Sequence, residues 1–345
     1  MQAIAVDFVR PAASAIDRSA RIPAELLAQL WRAGFVQGIL ETEPGVARSR
    51  ILSCILLEEL AWGDSAVATA IGATMSYVQA VMDHGTAEQK QDVQRSFAGA
   101  DFRGAAVLIH EPGFAGNVGQ LTTVAEPDDS GYLIRGAKAY VPLAGHCQEW
   151  LVLARCNGRP EAFMVSADCP GVRLEPAAGT LGLKGLSLAT LHLDQVAVAR
   201  GARLGGAAGC DTSRLIASAR LGISAMLTGL SRAVFEHITA YSKERVAHGT
   251  ALARKQSVAF RLADMFIDIP SMRWMCWRGA ATLGRNEDAR RAARLAHIHC
   301  ADRSMWIADE GVQLMGGHGY IRSNPVERWY RDARTLSLLE GLTGV

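Results

Sequence analysis

A change of period in its middle third does most to limit what this chain can fold into. From roughly Asp101 to Ala207 the residues fall into short runs rich in Val, Leu and Thr, namely GYLIRGAKAYV, EWLVLARCNGRPEAFMV and LATLHLDQVAV, separated by turn formers. Asn157-Gly158 between two apolar runs predicts a hairpin turn, and Asp168, Pro170 and Gly171 close the next run. On either side the spacing is helical. Apolar residues recur every three or four positions through AELLAQLWRAGF and ILSCILLEELAW, in a stretch from Ile22 to about Ser96 where Pro23 marks a helix start. After Cys210 the same spacing returns, with Leu215, Ala219, Ile223, Leu227, Leu230 and Val234 on one face. The expected fold class is α+β and mostly α: an N-terminal helical domain over residues 1–104, a central β domain over 105–207, and a C-terminal helical bundle over 208–345. No internal repeat, low-complexity tract or Gly/Ser linker separates them, so they are expected to pack as one unit.

With 345 residues, 49% of them hydrophobic, the chain has enough apolar surface for a large core. Its 36 Lys and Arg nearly balance 34 Asp and Glu, which leaves no net field to hold nucleic acid or a charged membrane. The seven cysteines (54, 147, 156, 169, 210, 276 and 300) are scattered, without a Cys-x-x-Cys pair, and argue against a disulfide framework and against zinc. Ser65 to Met82 is uncharged, but Ser65, Thr69, Thr74, Ser76 and Gln79 interrupt it, so a buried helix is expected rather than a membrane span. The opening MQAIAVDFVRPAASAIDR carries charges where a signal peptide needs an apolar core, and a reducing cytoplasm is the expected setting. His297, His299 and Cys300 in HIHC do not make a metal site, because a helix turns His297 and His299 to different faces. No Gly-x-Ser-x-Gly elbow, phosphate loop or zinc-protease helix occurs.

Three segments resemble the flavin-dependent acyl-CoA dehydrogenases. They are YSKERVAHGTALARKQSVAFRLADM (Tyr241 to Met265), GVQLMGGHGYIRSNPVERWYRDARTLSLLEGLTGV (Gly311 to Val345), and, in part, the Glu-Pro-Gly loop in LIHEPGFAGNVGQLTT (Leu108 to Thr123). With weaker likeness elsewhere, the resemblance covers nearly the whole chain. It implies helical domains around a central β-barrel or sheet, a C-terminal four-helix bundle, FAD as cofactor, and oxidation of an acyl thioester, on CoA or on a carrier protein, to the enoyl thioester.

That oxidation removes an α-proton while a hydride leaves the β-carbon, so it needs a carboxylate base beside an apolar slot. The resemblance gives this role to Glu340, flanked by Leu338, Leu339 and Gly341, in a setting where desolvation would raise the carboxylate's pKa. It places Arg214 near that carboxylate, with Asp211 as a helix cap one turn before it. Some relatives carry the base in this segment, but Ser213 stands in the neighbouring position here. For FAD the resemblance points to Arg245 on the pyrophosphate, Gln256 and Gln313 on the adenosine side, and Gly316, Gly317 and Gly319 for close backbone approach.

The pattern also departs from the family. Where the strand domain normally offers hydroxyls to the flavin, this chain has His110, Gly116, Pro142 and Leu342, and His248 stands where an aromatic is usual. The segment reaching toward a neighbouring subunit, with Arg245, Gln256, Gln313 and Gly317, keeps the family's residues. The family continues through another helix beyond the glutamate, whereas this sequence has five further residues. Three readings follow: a dehydrogenase; a flavin-poor subunit of a heteromeric dehydrogenase; and a monooxygenase of the same fold, against which Glu340 argues. The expected partners are an acyl thioester and an electron-accepting flavoprotein, in a homodimer, homotetramer or heterotetramer.

Overall fold

A computed structural model describes residues 2–40, 49–113, 120–177, 179–339 and 343–345. α1 (Gln2–Ile4) runs through a π-helical turn (Ala5–Val9) into α2 (Arg10–Ser19). Next come α3 (Ala24–Arg32), α4 (Gln37–Leu40), α5 (Arg50–Gly63), α6 (Ser65–His84) and α7 (Ala87–Phe97). The first stretch went unread in the sequence, although Ala5, Val9, Ala13 and Ile16 follow helical spacing and are all buried. α6 is long and apolar enough to cross a membrane, but it is almost wholly buried inside the protein, as its interrupting polar residues predict.

The central strands are β1 (Gly104–Leu108), β2 (Val124–Pro127), β3 (Gly131–Val141), β4 (Cys147–Cys156), β5 (Arg159–Ser166), β6 (Val172–Pro176) and β7 (Ala189–Ala199). Among the described residues they form a seven-stranded mixed sheet, with path β1-β4-β2-β3-β7-β6 and β5 on the other edge of β4. β4 and β5 are joined at the predicted turn, where Asn157 (φ 49°) and Gly158 (φ 78°) both take the left-handed conformation that a two-residue hairpin requires.

The C-terminal part is α8 (Thr212–Glu244), a short hairpin of β8 (Val246–Ala247) and β9 (Thr250–Ala251), α9 (Gln256–Gly284), α10 (Arg290–Met315) and α11 (Val326–Leu338). All six residues predicted to share a face of α8 are buried. α5 joins this bundle closely: a Cβ at Gly229 of α8 would stand 2.0 Å from the Glu58 carbonyl oxygen. Gly229→Ala is therefore expected to force α5 and α8 apart and to lower stability by about 1–3 kcal/mol, measured by chemical denaturation.

The Arg-Asp-Ala run in α11 holds the three parts together. Arg331 grips Asp17 of α2 through paired bonds of 2.9 and 2.8 Å and donates from Nε to Glu327 at 2.8 Å. Asp332, fully buried, accepts the Leu183 N–H at 2.7 Å. Burial first, and the nearby Asp64 second, push the Asp332 carboxyl up to about 7. An unfolded aspartate titrates near 3.9. Between those values the folded chain holds the extra proton, so this stabilisation is full at low pH and is lost as pH rises through about 7. Asp332→Asn keeps the acceptor for Leu183 and should flatten the fall in melting temperature between pH 5 and 8.

Candidate active site

The arm segment builds a hollow of about 580 Å³ lined by Tyr241, Arg245, Gln313, Gly316, Gly317 and His318, among others. Arg245 ends α8, its N–H bonded to Tyr241 O at 2.8 Å. Its exposed guanidinium meets no acid among the described residues. α10 stops at Gly316, whose φ of 57° and ψ of −134° suit only glycine, and Cβ atoms at Gly316 and Gly317 would meet open space. A free cation beside open, side-chain-free backbone fits an anionic diphosphate. Gly319 differs, since a Cβ there would stand 2.4 Å from Val312 O, so it serves packing. Sequence reasoning missed Tyr241 and His318, whose Oη and Nδ1 lie 3.2 Å apart. They face each other only because α8 passes the end of α10.

Two residues predicted with this group lie elsewhere. His248 sits exposed at the tip of the β8–β9 hairpin with φ 55°, and Gln256 begins α9 on the surface; neither lines the hollow.

The strand-domain side centres on the end of β3. The His110 and Tyr140 rings meet edge to face with centroids 5.9 Å apart. Pro142 is buried beside them in the chain and offers neither an N–H nor a hydroxyl, so this position has no donor for a bound ring. The following residues are tied to the loop before β7, Leu143 N to Leu186 O at 3.1 Å and Ala144 N to Ser187 O at 3.0 Å. Beneath them lies a buried ion pair: Lys138 Nζ meets Glu111 Oε1 at 2.8 Å. The Glu111 carboxylate also accepts from Thr122 N, Thr122 Oγ1 and Thr123 N. Burial would raise Glu111, but the Lys138 charge and these hydrogen bonds outweigh it and hold the carboxyl at about 2. Burial lowers Lys138, with Glu111 opposing. The pair pins the Glu-Pro-Gly loop to β3.

At the start of α8, Asp211 caps the helix by accepting from Ser213 N at 3.0 Å and Ser213 Oγ at 2.6 Å. Arg214 reaches the far end of α9, donating to Leu283 O at 2.9 Å and Asn286 Oδ1 at 3.0 Å, and lines a small polar cavity with Ser218. Glu340, Gly341, Leu342 and Gly116 lie outside the described residues. On either side of the first three, Leu339 (3% exposed) and Thr343 (0%) are buried. Among the described residues no cluster of His, Cys, Asp and Glu is arranged to hold a metal; His299 Nε2 instead faces Ser271 Oγ at 2.8 Å.

Comparison with known proteins agrees along the whole chain. Residues 1–100, 106–196 and 211–345 match the N-terminal, middle and C-terminal domains of acyl-CoA dehydrogenase. The mitochondrial short-chain specific acyl-CoA dehydrogenase of Bos taurus is 27% identical over 97% of this chain and 83% of its own. The cyclohexane-1-carbonyl-CoA dehydrogenase of Geobacter metallireducens is 29% identical over 96% and 90%. The butyryl-CoA dehydrogenase structure from Megasphaera elsdenii superposes with a TM-score of 0.88 at 26% identity, covering 99% of this chain and 93% of that one. The chain belongs to the acyl-CoA dehydrogenase family of FAD-dependent oxidoreductases.

Proposed function

We propose that this protein oxidises a short acyl thioester, on CoA or on a carrier protein, to the α,β-enoyl thioester. Glu340 takes the α-proton. FAD, when bound, supplies the acceptor for the β-hydride. The observation that carries this reading is the burial of Leu339 and Thr343, the described residues nearest Glu340, although Leu338, expected as an apolar flank, is 63% exposed; a carboxylate held out of water is a stronger base. Arg214, which lines one small cavity with Arg50 and Ser218, and the Gly341 backbone are the proposed contacts for the thioester. The bovine and Megasphaera relatives, described as short-chain and butyryl-CoA dehydrogenases, support a short acyl chain. Incubation with acyl thioesters of two to eight carbons and an artificial electron acceptor, with mass spectrometry of the product, tests the reading; recovery of unchanged thioester throughout the series would count against it.

Arg245, Gln313, Gly316 and Gly317 hold the FAD diphosphate on this reading, with His248 and Gln256 contributing only if a neighbouring subunit brings them to it. Arg245→Met removes a charge-assisted contact, and FAD affinity should drop by about 10- to 100-fold in a titration of apoprotein.

The electrons removed from the substrate must leave the protein, and an electron-accepting flavoprotein is the proposed recipient. α9 exposes Phe260, Phe266, Ile267 and Trp274, each more than 60% accessible, which supports assembly into a dimer or tetramer. The absence of any donor at Pro142 favours a second reading, in which the chain lends its Arg245 arm to a better equipped homologous subunit. The absorbance spectrum of the protein purified alone separates the two, because a stoichiometric flavin in the homomer excludes the half-site subunit. A cytoplasmic setting accords with both readings.

A further inference from the structure

The loop between β6 and β7 is held in a shape that its own residues resist. Leu183 (φ 54°) and Ser187 (φ 50°) are left-handed without being glycine, on either side of one helical turn (Lys184–Leu186). Such backbone is costly for a residue with a Cβ, so the surroundings must impose it. Leu183 N bonds to Asp332 Oδ1 at 2.7 Å and Gly182 N to Thr335 Oγ1 at 2.9 Å. Leu186 O and Ser187 O accept the Leu143 and Ala144 N–H groups just after β3. Gly185 lies so close to α2 that a Cβ there would stand 2.2 Å from Ile16 Cγ2.

These ties hold Lys184 against a hollow of about 650 Å³ lined by Ala144, Gly145, Leu174, Lys184, Ser187 and Leu188, among others. Small-molecule sites usually measure about 300–1,000 Å³. Most of the wall is apolar, and Cβ atoms at Gly145 and Gly179, both part of it, would meet open space. A flat ring can lie close against such a wall. The Lys184 side chain is half-buried, and no hydrogen bond or ion pair holds its ammonium among the described residues. Asp17 feels its charge, but both oxygens of that carboxylate are bonded to Arg331. The wall begins at Ala144, the second residue after Pro142, so the hollow adjoins the position that offers a flavin ring no donor.

We propose that this hollow seats the flavin ring of FAD and that Lys184 supplies the polar contact which Pro142 cannot. Reduction adds negative charge to the ring, and an ammonium beside it favours the reduced form over the oxidised one. Lys184 therefore retains the cofactor and raises its reduction potential. The proposal rests on the FAD-dependent reading above and deepens it: with a cation in the strand-domain half, the chain is a complete subunit and not a half-site one.

The test titrates the apoprotein with FAD and measures the midpoint potential of the bound flavin in the parent, in Lys184→Met and in Lys184→Arg. Lys184→Met is expected to bind FAD about tenfold more weakly and to lower the potential by about 30 mV, which is a tenfold loss of preference for the two-electron reduced form. Lys184→Arg, which keeps the charge, should stay near the parent in both. Complete loss of FAD from Lys184→Met, with Lys184→Arg still loaded, would be the same contact at larger scale. An unchanged potential in a loaded Lys184→Met protein, an equal effect in Lys184→Arg, or a parent homomer that takes up no FAD would overturn the proposal. Neither measurement uses a thioester, so a potential that depends on Lys184 in a protein that oxidises none would keep the flavin seat and remove the proposed activity.

Discussion

Replacing Glu340 by Gln is expected to lower kcat for acyl-thioester oxidation by about 10²- to 10⁴-fold while FAD content and thioester affinity stay near the parent values. General base catalysis contributes on this scale when a positioned carboxylate takes the proton. The amide is nearly isosteric, so the slot keeps its shape and loses only basicity. At the start of α8, Asp211 is committed to capping the helix through Ser213. Rapid-mixing kinetics with a substrate deuterated at the α-carbon measure the step directly, and a Glu340→Gln protein that keeps more than a tenth of parental kcat would remove Glu340 from the role.

A second large effect is expected far from the proposed base. Lys138→Met should cost about 3–5 kcal/mol, because it leaves the Glu111 carboxylate buried without its counter-charge. Lys138 is 0% and Glu111 4% exposed, so water cannot replace the lost partner. The double replacement Glu111→Gln with Lys138→Met removes both charges and should recover much of the loss, since Gln can still accept from Thr122 and Thr123. The Glu-Pro-Gly loop hangs on this pair, so the single variant should also release FAD at lower temperature than the double. Equal stability of single and double variants in urea denaturation would contradict this account of the pair.

What could be read from the sequence was what local spacing encodes. The Asn157-Gly158 turn, the start of α3 after Ile22-Pro23, the buried character of α6 and the inward face of α8 each follow from residues within a turn or two of one another. The helical stretch over residues 2–19 escaped because Asp7, Arg10, Asp17 and Arg18 interrupt its apolar stripe, and the partners of Arg10 and Asp17 lie far along the chain. Arg10, for example, stacks between Trp62 and Trp329, 4.3 and 4.6 Å from their ring centroids, and Asp17 pairs with Arg331.

The candidate site divides in the same way. Arg245, Gln313, Gly316 and Gly317 were found through motif resemblance, and the fold does bring them around one hollow. Gln256 and His248 belong to the same sequence segment but are carried outward by the start of α9 and the β8–β9 hairpin. The Lys138–Glu111 pair, 27 residues apart, and the grip of Arg50 on Val345, 295 apart, leave no local trace. Such contacts depend on how the three parts dock, and spacing along the chain carries no record of that.

The central claim is that a flavin on this chain takes hydride from an acyl thioester whose α-proton goes to Glu340. Its most direct test is anaerobic titration of the FAD-loaded protein with a short acyl-CoA, followed by the visible absorbance of the flavin. The account predicts that the absorbance bleaches as enoyl thioester accumulates, in the parent protein and not in Glu340→Gln. A flavin that keeps its full absorbance under saturating thioester, or bleaches equally in both proteins, would contradict it.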